Sequence, residues 1–243
     1  MKDIKISVIM PRYNAKNIIK DLKEAINVLE KFAKNYELIV VNDGSTNSCF
    51  DEAKKFKHEK VKVVGYKNNF GKGNAIKYGF NFAKGEYIVF FDSGGDLDPR
   101  QIEKFFDIMK KENADIVIGS KRHPDSKVHY PWIRRLMSTI YQVLNKLLFD
   151  LDVRDTQVGL KLFKKKTLDI IMPKILAKKF AFDLELLVIA NKFKFKIVEA
   201  PIVLNYNFQS TINLNAVFWM LLDTAAIFYR LKILKWYDQK QDE

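Results

Sequence analysis

Carboxylates follow two apolar runs of the sequence at places where a chain turns sharply. Asp43 stands in Asn42-Asp43-Gly44-Ser45-Thr46, and Asp92 and Asp96 bracket a glycine-containing bend that continues to Asp98. A carboxylate at such a turn can bind a base or a ribose, or it can form an ordinary Asx turn or helix cap. Two carboxylates in one bend can hold a hard cation such as Mg²⁺ or Mn²⁺, or they can form a solvated acidic turn. The residues alone leave both choices open.

Two further groups of residues are suited to anions. The segment Asn69-Phe70-Gly71-Lys72-Gly73-Asn74-Ala75 lies at a predicted helix start, where free backbone amides and the helix dipole favour an anion, although it lacks the ending of a Walker loop. Arg122, Arg134 and Arg135, with Ser138 one turn after Arg134, form a cluster suited to phosphate. Plain surface charge remains the alternative, above all for Arg135.

Other chemistries find no support in the sequence. His58, His123 and His129 show no metal-ligand spacing with Cys49, and there is no Gly-x-Ser-x-Gly elbow of a serine hydrolase. Because Cys49 is the single cysteine, it forms no internal disulfide, which is typical of a reducing compartment. The first residues also lack the apolar run of a signal peptide, so we expect a protein that is not secreted.

The composition favours one large α/β domain with anionic partners. The 243 residues are 48% hydrophobic, and 42 Lys and Arg against 29 Asp and Glu give a net charge of +13. Such a charge attracts nucleic acid, acidic lipid or phosphorylated small molecules. The lysines are spread over helix-like segments instead of forming one footprint, so nucleic acid is not an expected partner.

Alternating elements in the first half predict a parallel sheet with helices on both faces. Apolar runs typical of buried strands occur at Lys5 to Met10, Tyr36 to Val41, Val61 to Tyr66, Tyr87 to Phe91 and Asp115 to Ile118. Helical patterns lie between them at Ile18 to Phe32, Asn74 to Ala83 and Pro99 to Lys111. Ligands of such sheets bind beyond the carboxyl ends of the strands, so the polar loops should converge on one edge.

Several motifs, taken in order, resemble the family 2 glycosyltransferases of GT-A fold, a Rossmann-like nucleotide-diphospho-sugar transferase fold. They are Pro11-Arg12-Tyr13-Asn14, Val41-Asn42-Asp43-Gly44-Ser45, Asn69-Phe70-Gly71-Lys72-Gly73 and Phe91-Asp92 to Pro99. Gly119-Ser120-Lys121-Arg122, Asp155 to Phe163, Phe182 to Leu187 and Glu199-Ala200-Pro201 resemble the branch that contains dolichyl-phosphate β-glucosyltransferase and dolichol-phosphate mannose synthase.

The resemblance implies transfer of a hexose from a UDP- or GDP-sugar to a polyprenyl (dolichyl) phosphate, with a divalent ion and with inversion. It assigns nucleotide-sugar binding to Pro11, Tyr13, Val41, Asp43, Lys72, Asp92 and Ser93. It assigns Mg²⁺ or Mn²⁺ to Asp92 and Asp96, and acceptor phosphate to Arg122, Arg134, Ser138 and Gln157. Asp155 lies in the motif on the sugar and acceptor side, while Asp183 and Glu185 are weaker carry-overs, for which a structural role is the alternative.

Two departures from the family pattern keep other functions open. Gly94 stands where the family has the second carboxylate of an Asp-x-Asp pair, and Ala15 stands where a glutamate is common. A catalytically inactive nucleotide-sugar-binding protein is therefore one alternative. Transfer to a glycan hydroxyl is another, and it would require a general base, for which Asp155 is the candidate.

The sequence divides into a catalytic domain at 1–210 and a C-terminal amphipathic helix with a polar tail at 211–243. Leu214 to Tyr237 is mostly apolar and aromatic, but Asp223 interrupts it, and a spanning helix needs about 20 predominantly apolar residues. Its aromatic and basic residues suit an interfacial helix on an anionic membrane, and a core-packing or oligomer-forming helix is the alternative. With the lipid acceptor in mind, we expect a peripheral or monotopic protein at the cytoplasmic face of a membrane.

Overall fold

The structure, a computed structural model, describes residues 5–92, 97–128, 132–179, 181–204 and 214–239. Within these residues the chain forms a seven-stranded sheet of order β3-β2-β1-β4-β6-β5-β7. The strands are Lys5–Arg12 (β1), Asn35–Asp43 (β2), Val61–Tyr66 (β3), Tyr87–Phe91 (β4), Ile116–Ser120 (β5), Leu160–Lys164 (β6) and Ile197–Pro201 (β7). Neighbouring strands are parallel except where β6 pairs antiparallel with β4 and β5. The predicted α/β fold with a mostly parallel sheet is confirmed.

Helices cover both faces of the sheet. The α-helices of the described residues are Ile18–Phe32 (α1), Cys49–Lys55 (α2), Lys72–Phe80 (α3), Gln101–Lys111 (α4), Trp132–Phe149 (α5), Lys165–Ile171 (α6), Ala181–Lys192 (α7) and Leu214–Phe228 (α8). One apolar core joins the sheet to α1, α2 and α4, and a second core on the opposite face joins it to α3, α6 and α7. On α1, for example, the buried side chains form one stripe that faces the first core. They recur at three- and four-residue steps, at Leu22, Ala25, Ile26 and Leu29.

Several boundaries differ from the sequence prediction. β1 and β2 run two residues further than predicted, so Arg12 and Asp43 are the last residues of strands and do not lie in loops. α3 begins at Lys72 instead of Asn74. The sequence analysis also missed β6, because Leu160–Lys164 was interpreted only as part of a motif.

The C-terminal segment both packs against the domain and exposes apolar side chains. α8 continues into a π-helical turn at Tyr229–Ile233 and a 3₁₀ turn at Trp236–Asp238. Ile227 and Tyr237 are fully buried in the second core, whereas Phe218 and Trp219 are exposed. Among the described residues, no helix has both the length and the hydropathy needed to cross a membrane.

Candidate active site

A cavity of about 400 Å³ opens at the carboxyl ends of β1 and β4. The strand order changes direction at this point, because β2 lies on one side of β1 and β4 on the other, and such switch points form the binding crevice of open α/β sheets. Pro11, Tyr13 and Asp92 line the cavity together, which brings three of the residues predicted to bind the nucleotide-sugar to one place. Ser93 and Asp96 lie outside the described residues, so their predicted roles remain predictions.

Asp43 is engaged by the chain itself. Its carboxylate accepts hydrogen bonds from the Tyr66 hydroxyl (2.8 Å), the Asn69 amide (3.1 Å), and the backbone amides of Phe70 and Gly71 (both 2.9 Å). A carboxylate offers about four acceptor positions, and these four donors use them. The anion expected near this helix start is therefore Asp43 itself, and a nucleoside would have to displace one of these donors to reach the carboxylate.

The start of α3 lies unusually close to the segment that precedes α7. The Asn74 amide donates to the Lys178 carbonyl at 3.0 Å, and a Cβ on Gly71 would lie 3.0 Å from the same oxygen. Gly71 also has a φ of 96°, a backbone conformation that residues with a side chain rarely adopt. This glycine therefore serves a sharp turn and a close approach of two backbones, and Lys72, the next residue, lies beside Asp92.

Lys72 belongs to a chain of paired charges in which Lys161 and Asp183 are buried. Its ammonium lies 3.1 Å from the Asp183 carboxylate and 3.4 Å from that of Asp92. Asp183 also pairs at 2.7 Å with Lys161, a strand residue that is only 1% exposed. Burial opposes the charge of Lys72, but Asp183 and Asp92 outweigh it and raise the pKa of its ammonium. Lys72 is thus a fixed cation beside Asp92.

Asp92 is a partly exposed carboxylate in the wall of the cavity at β1 and β4. Its side chain is 41% exposed, and its backbone amide donates to the Gly159 carbonyl at 2.9 Å. A Cβ on Gly159 would come within 2.7 Å of the Asp92 Cβ, so this glycine permits the contact that holds Asp92 in place. The described residues contain no group of three acidic, His or Cys side chains arranged to hold a metal ion. One carboxylate open to a cavity suits Mg²⁺ or Mn²⁺ only when phosphate oxygens supply other ligands.

A second cavity, of about 510 Å³, lies beyond the end of β5 and is basic. Arg122 and Ser138, both predicted at the acceptor phosphate, line it. Lys121, Arg135 and Arg154 line it as well, and the described lining residues include no carboxylate. Sequence reasoning missed Arg154, although its position directly before the Asp155 motif was an available signal.

Arg122 connects this cavity to α5. Its guanidinium donates to the Gln142 side chain at 2.5 Å, to the Arg135 carbonyl at 2.8 Å and to the Thr139 hydroxyl. Its Nε is buried and has no hydrogen-bond partner among the described residues. The side chain of Arg134 lies outside the part of the chain that the structure describes, so its predicted phosphate contact remains a prediction.

Asp155 and Gln157 organise the loop before β6. The Asp155 carboxylate accepts hydrogen bonds from the backbone amides of Lys121 (3.1 Å) and Gln157 (3.0 Å), and the Lys121 ammonium lies 3.5 Å away. The Gln157 side chain donates to the Thr156 hydroxyl at 3.3 Å. Asp155 is also buried, so it holds two loops together and faces a cation instead of an acceptor hydroxyl.

Val41 contributes its side chain to the core. It is fully buried within the second core, on the same face of the sheet as α3. A contact between Val41 and a nucleoside would therefore have to come from its backbone.

Glu185, for which the sequence left a site role and a structural role open, joins the C-terminal segment to the rest of the domain. One oxygen accepts hydrogen bonds from the backbone amides of Leu176 (3.0 Å) and Ala177 (2.6 Å). The other accepts from Arg230 (2.9 Å) and the Tyr237 hydroxyl (2.6 Å). The carboxylate is fully buried. It thereby links the segment after residue 214 to the loop that contacts the start of α3.

The doubly wound sheet, with ligand cavities beyond its carboxyl edge, has the GT-A fold. The chain belongs to glycosyl transferase family 2, whose family model matches residues 7–171, and it is a glycosyltransferase.

Curated relatives and solved structures agree with this family. Dolichyl-phosphate beta-glucosyltransferase of Homo sapiens is 31% identical, with 94% of this chain and 76% of the relative covered. The protein of the same name from Saccharomyces cerevisiae is 29% identical, with 83% and 67% covered. Glucosyl-3-phosphoglycerate synthase from Mycobacterium tuberculosis, solved with Mn²⁺, UDP-glucose and phosphoglyceric acid, superposes with a TM-score of 0.71 at 18% identity, covering 99% of this chain and 82% of that one. This structural likeness supports the fold.

Proposed function

We propose that the protein transfers a hexose from a nucleotide-sugar to a polyprenyl phosphate, with inversion at the sugar. The basic cavity beyond the end of β5 is the observation that carries this proposal, because its described lining is cationic and contains no carboxylate. We propose that the other cavity, at the ends of β1 and β4, binds the donor, and we call it the donor cavity. The names of the curated relatives support the same acceptor class.

On the donor side, Asp92 would hold Mg²⁺ or Mn²⁺ together with the donor diphosphate, and Asp96 is proposed to share that role. The metal would neutralise charge on the departing diphosphate. Lys72, which is fixed beside Asp92, adds a positive charge at the same place. Pro11 and Tyr13, on the wall of the cavity, are proposed to contact the nucleoside.

On the acceptor side, the cavity binds and orients a group that is already anionic. A phosphate needs no strong base to become a nucleophile, whereas a hydroxyl does. Asp155 is held by two backbone amides and by Lys121, which leaves it poorly placed to accept a proton. Arg122, whose buried Nε has no partner among the described residues, and Ser138 are proposed to bind the phosphate.

Contact with a membrane surface would bring the lipid acceptor to this cavity. α5 and α8 lie side by side, since the Tyr141 hydroxyl and the Thr224 hydroxyl are 3.0 Å apart and the Phe149 and Phe228 rings are 6.4 Å apart. Both helices expose large apolar side chains, which on α5 are Trp132, Leu136, Met137, Ile140, Val143 and Leu147, and on α8 are Phe218, Trp219, Leu221 and Leu222. We propose that this two-helix apolar face rests on an anionic bilayer at its cytoplasmic side.

Transfer assays test the reaction. The intact protein is incubated with labelled UDP- or GDP-sugars, polyprenyl phosphate and Mg²⁺ or Mn²⁺, or with EDTA, and the lipid product is analysed for its anomeric configuration. We expect a metal-dependent lipid-linked sugar of inverted configuration. Transfer to a glycan hydroxyl but not to lipid phosphate would contradict the proposed acceptor, and donor binding without turnover would identify an inactive protein.

Arg154→Gln tests the acceptor cavity. Arg154 makes one long ion pair, 3.9 Å from Glu199, so its removal should disturb the fold little. We expect the KM for polyprenyl phosphate to rise by about tenfold while the KM for the donor stays unchanged, because a charge-assisted contact is lost. The control Lys165→Gln removes an equal charge from α6 and should change neither constant. Equal effects of Arg154→Gln on both substrates would contradict the assignment.

Vesicle flotation tests the membrane contact. A truncated chain is unsuitable because Ile227 and Tyr237 belong to the core, so we compare Phe218→Ser with Ile170→Ser, which changes an exposed apolar residue on α6. Phe218→Ser should weaken flotation with anionic vesicles, whereas Ile170→Ser should not. An intact protein that remains wholly unbound would refute the contact.

A further inference from the structure

Another cavity, of about 470 Å³, lies at the opposite end of α5 from the basic cavity beyond β5. Its wall combines the last residue of α5, Phe149, with residues from the end of α7 and from the π-helical turn that follows α8. The charged residues of its lining are Lys192, Lys194, Lys232, Lys235, Asp150 and Asp238. We call this site the lysine cavity. The proposed reaction makes no use of it.

The lysine cavity carries positive charge that the described residues do not neutralise. Lys192 pairs with Asp238 at 2.6 Å. The other three lysines of the lining form no ion pair with a described residue, and Asp150 is the remaining carboxylate. Arg230 of the neighbouring π-helical turn is, by contrast, paired with Glu185 at 2.9 Å. An anion that enters the cavity is therefore attracted by more cations than the lining carboxylates balance.

The capping of helix ends does not account for these lysines. Basic side chains are common where helices end, because free carbonyl groups are present there. At the end of α5, however, the Asn191 side-chain amide donates to the carbonyls of Phe149 (3.3 Å) and Asp150 (3.0 Å). Backbone amides do the same at the ends of α7 and of the π-helical turn, at residues 193–195 and Leu234. These carbonyls need no ammonium group, so the lysines remain available for a ligand.

α5 connects the two basic cavities by an exposed apolar stripe. Arg135, in its first half, lines the cavity beyond β5, and Phe149 lines the lysine cavity. At about 1.5 Å per residue, these two residues are about 21 Å apart along the helix axis. The exposed apolar residues between them recur at three- and four-residue steps and so lie on one side of the helix, at Leu136, Ile140, Val143 and Leu147. A flat partner that covers this stripe extends from one basic cavity towards the other.

The surroundings of the lysine cavity indicate which anion it suits. Ile233 and Leu234 are exposed, and they stand in the sequence between Lys232 and Lys235. Basic side chains among exposed apolar ones suit the boundary between the headgroups and the acyl chains of an anionic bilayer. A lipid supplies both chemistries, because its phosphate can meet the lysines while its acyl chains cover the apolar side chains. A soluble phosphate would leave the apolar side chains in water.

We propose that the lysine cavity binds the phosphate-bearing headgroup of an anionic lipid. This inference rests on the proposed membrane contact. A headgroup in this cavity fixes the C-terminal end of α5 to the bilayer, and the acceptor cavity at the other end of the helix is then held near the same surface. The site thereby orients the protein on the membrane as well as attaching it.

Partitioning of the full chain onto vesicles tests this site. Flotation compares phosphatidylcholine vesicles that contain phosphatidylglycerol with vesicles of phosphatidylcholine alone. The main variants are Lys232→Gln and its combination with Lys235→Gln. The matched control for the double variant is Lys110→Gln combined with Lys111→Gln, which removes the same charge from exposed positions on α4, at the opposite face of the sheet. The control for the single variant is Lys146→Gln, which changes an exposed lysine of α5 outside the cavity lining. Thermal unfolding shows that each variant is folded.

Each lysine at an anionic surface strengthens partitioning by about fivefold, so the cavity double variant should lose about twentyfold on phosphatidylglycerol vesicles. On phosphatidylcholine alone it should match the wild type. The α4 double variant should lose less than about twofold, because charges far from the surface are screened, and Lys146→Gln should lose less than Lys232→Gln. The inference is overturned if the cavity double variant keeps its partitioning, if either control loses as much as its counterpart, or if the wild type has no preference for phosphatidylglycerol. A wild type that binds neither kind of vesicle would refute the membrane contact itself, and this inference with it.

Discussion

Replacing Asp183 by Asn should destabilise the protein strongly, because it leaves a buried and a partly buried ammonium group without their shared carboxylate. Asp183 is 3% exposed and contacts Lys161 at 2.7 Å and Lys72 at 3.1 Å. Removing one partner of a buried ion pair costs about 3–5 kcal/mol. Lys72 keeps Asp92 at 3.4 Å, and Lys161 keeps the Val158 carbonyl at 2.5 Å. We therefore expect the free energy of unfolding to fall by about 3 kcal/mol, near the lower limit of that range.

Urea and thermal unfolding measure this loss. For a chain of this size, about 3 kcal/mol corresponds to a fall of about 6–12 °C in Tm. The control Asp169→Asn breaks an exposed pair with Lys165 on one turn of α6, and exposed pairs contribute less than about 1 kcal/mol. The reasoning is refuted if the free energies of unfolding of Asp183→Asn and of the control differ by less than about 1 kcal/mol.

The pH dependence gives a second check. Although burial opposes it, attraction by Lys161 and Lys72 lowers the pKa of Asp183 in the folded protein. The ionised carboxylate therefore contributes stability above its unfolded pKa of about 4, and this contribution is lost as the pH falls through the lowered folded value. The difference in stability between wild type and Asp183→Asn should be largest near neutral pH and shrink in acid. A difference that grows as the pH falls would contradict the assigned charge states.

Three further variants probe other contacts. Gly159→Ala should weaken donor binding by about tenfold, because the new Cβ would lie 2.7 Å from the Asp92 Cβ and push the Asp92 carboxylate out of position. The loss corresponds to roughly one charge-assisted contact. Unchanged donor affinity in calorimetry would contradict this prediction. Tyr237→Phe should lower the free energy of unfolding by about 1.5–3 kcal/mol, since it removes a 2.6 Å hydrogen bond to the Glu185 carboxylate; a urea midpoint equal to that of wild type would argue against it. Asp155→Asn should reduce stability without changing the shape of the pH profile of kcat, whereas loss of the acidic limb of that profile, the range in which a general base becomes protonated, would show that Asp155 is a general base.

The alternation of strands and helices in the first half of the chain could be predicted from the sequence because it depends on local apolar patterns. The predicted α1, Ile18–Phe32, agrees with the structure at both ends, because the first and last residues of its apolar stripe, Ile18 and Phe32, are also the ends of the helix. β6 was missed because its second residue, Lys161, is charged yet fully buried. Its partner Asp183 lies 22 positions later, so no local window shows that this lysine is neutralised.

The sequence predicted which residues lie together where their positions on the sheet edge decide it. Tyr13 and Asp92 share a cavity because the carboxyl ends of parallel strands meet there. The contacts of Asp43 were harder to predict, because its donors come from Tyr66, at the end of β3, and from residues 69–71 that follow it. Arg154 lines the basic cavity, and it precedes β6, the strand between β4 and β5 that the sequence pattern did not reveal.

The Glu185 contacts have a consequence for how the chain is made. The amides of Leu176 and Ala177 emerge from the ribosome well before Arg230 and Tyr237, which complete the shell around the same carboxylate. Until Tyr237 has been synthesised and released, a carboxylate at the centre of the domain lacks half of its donors. The loop that contacts the start of α3 is then less firmly held. We expect the loop that contacts the start of α3 to reach its final order only after Tyr237 has left the ribosome.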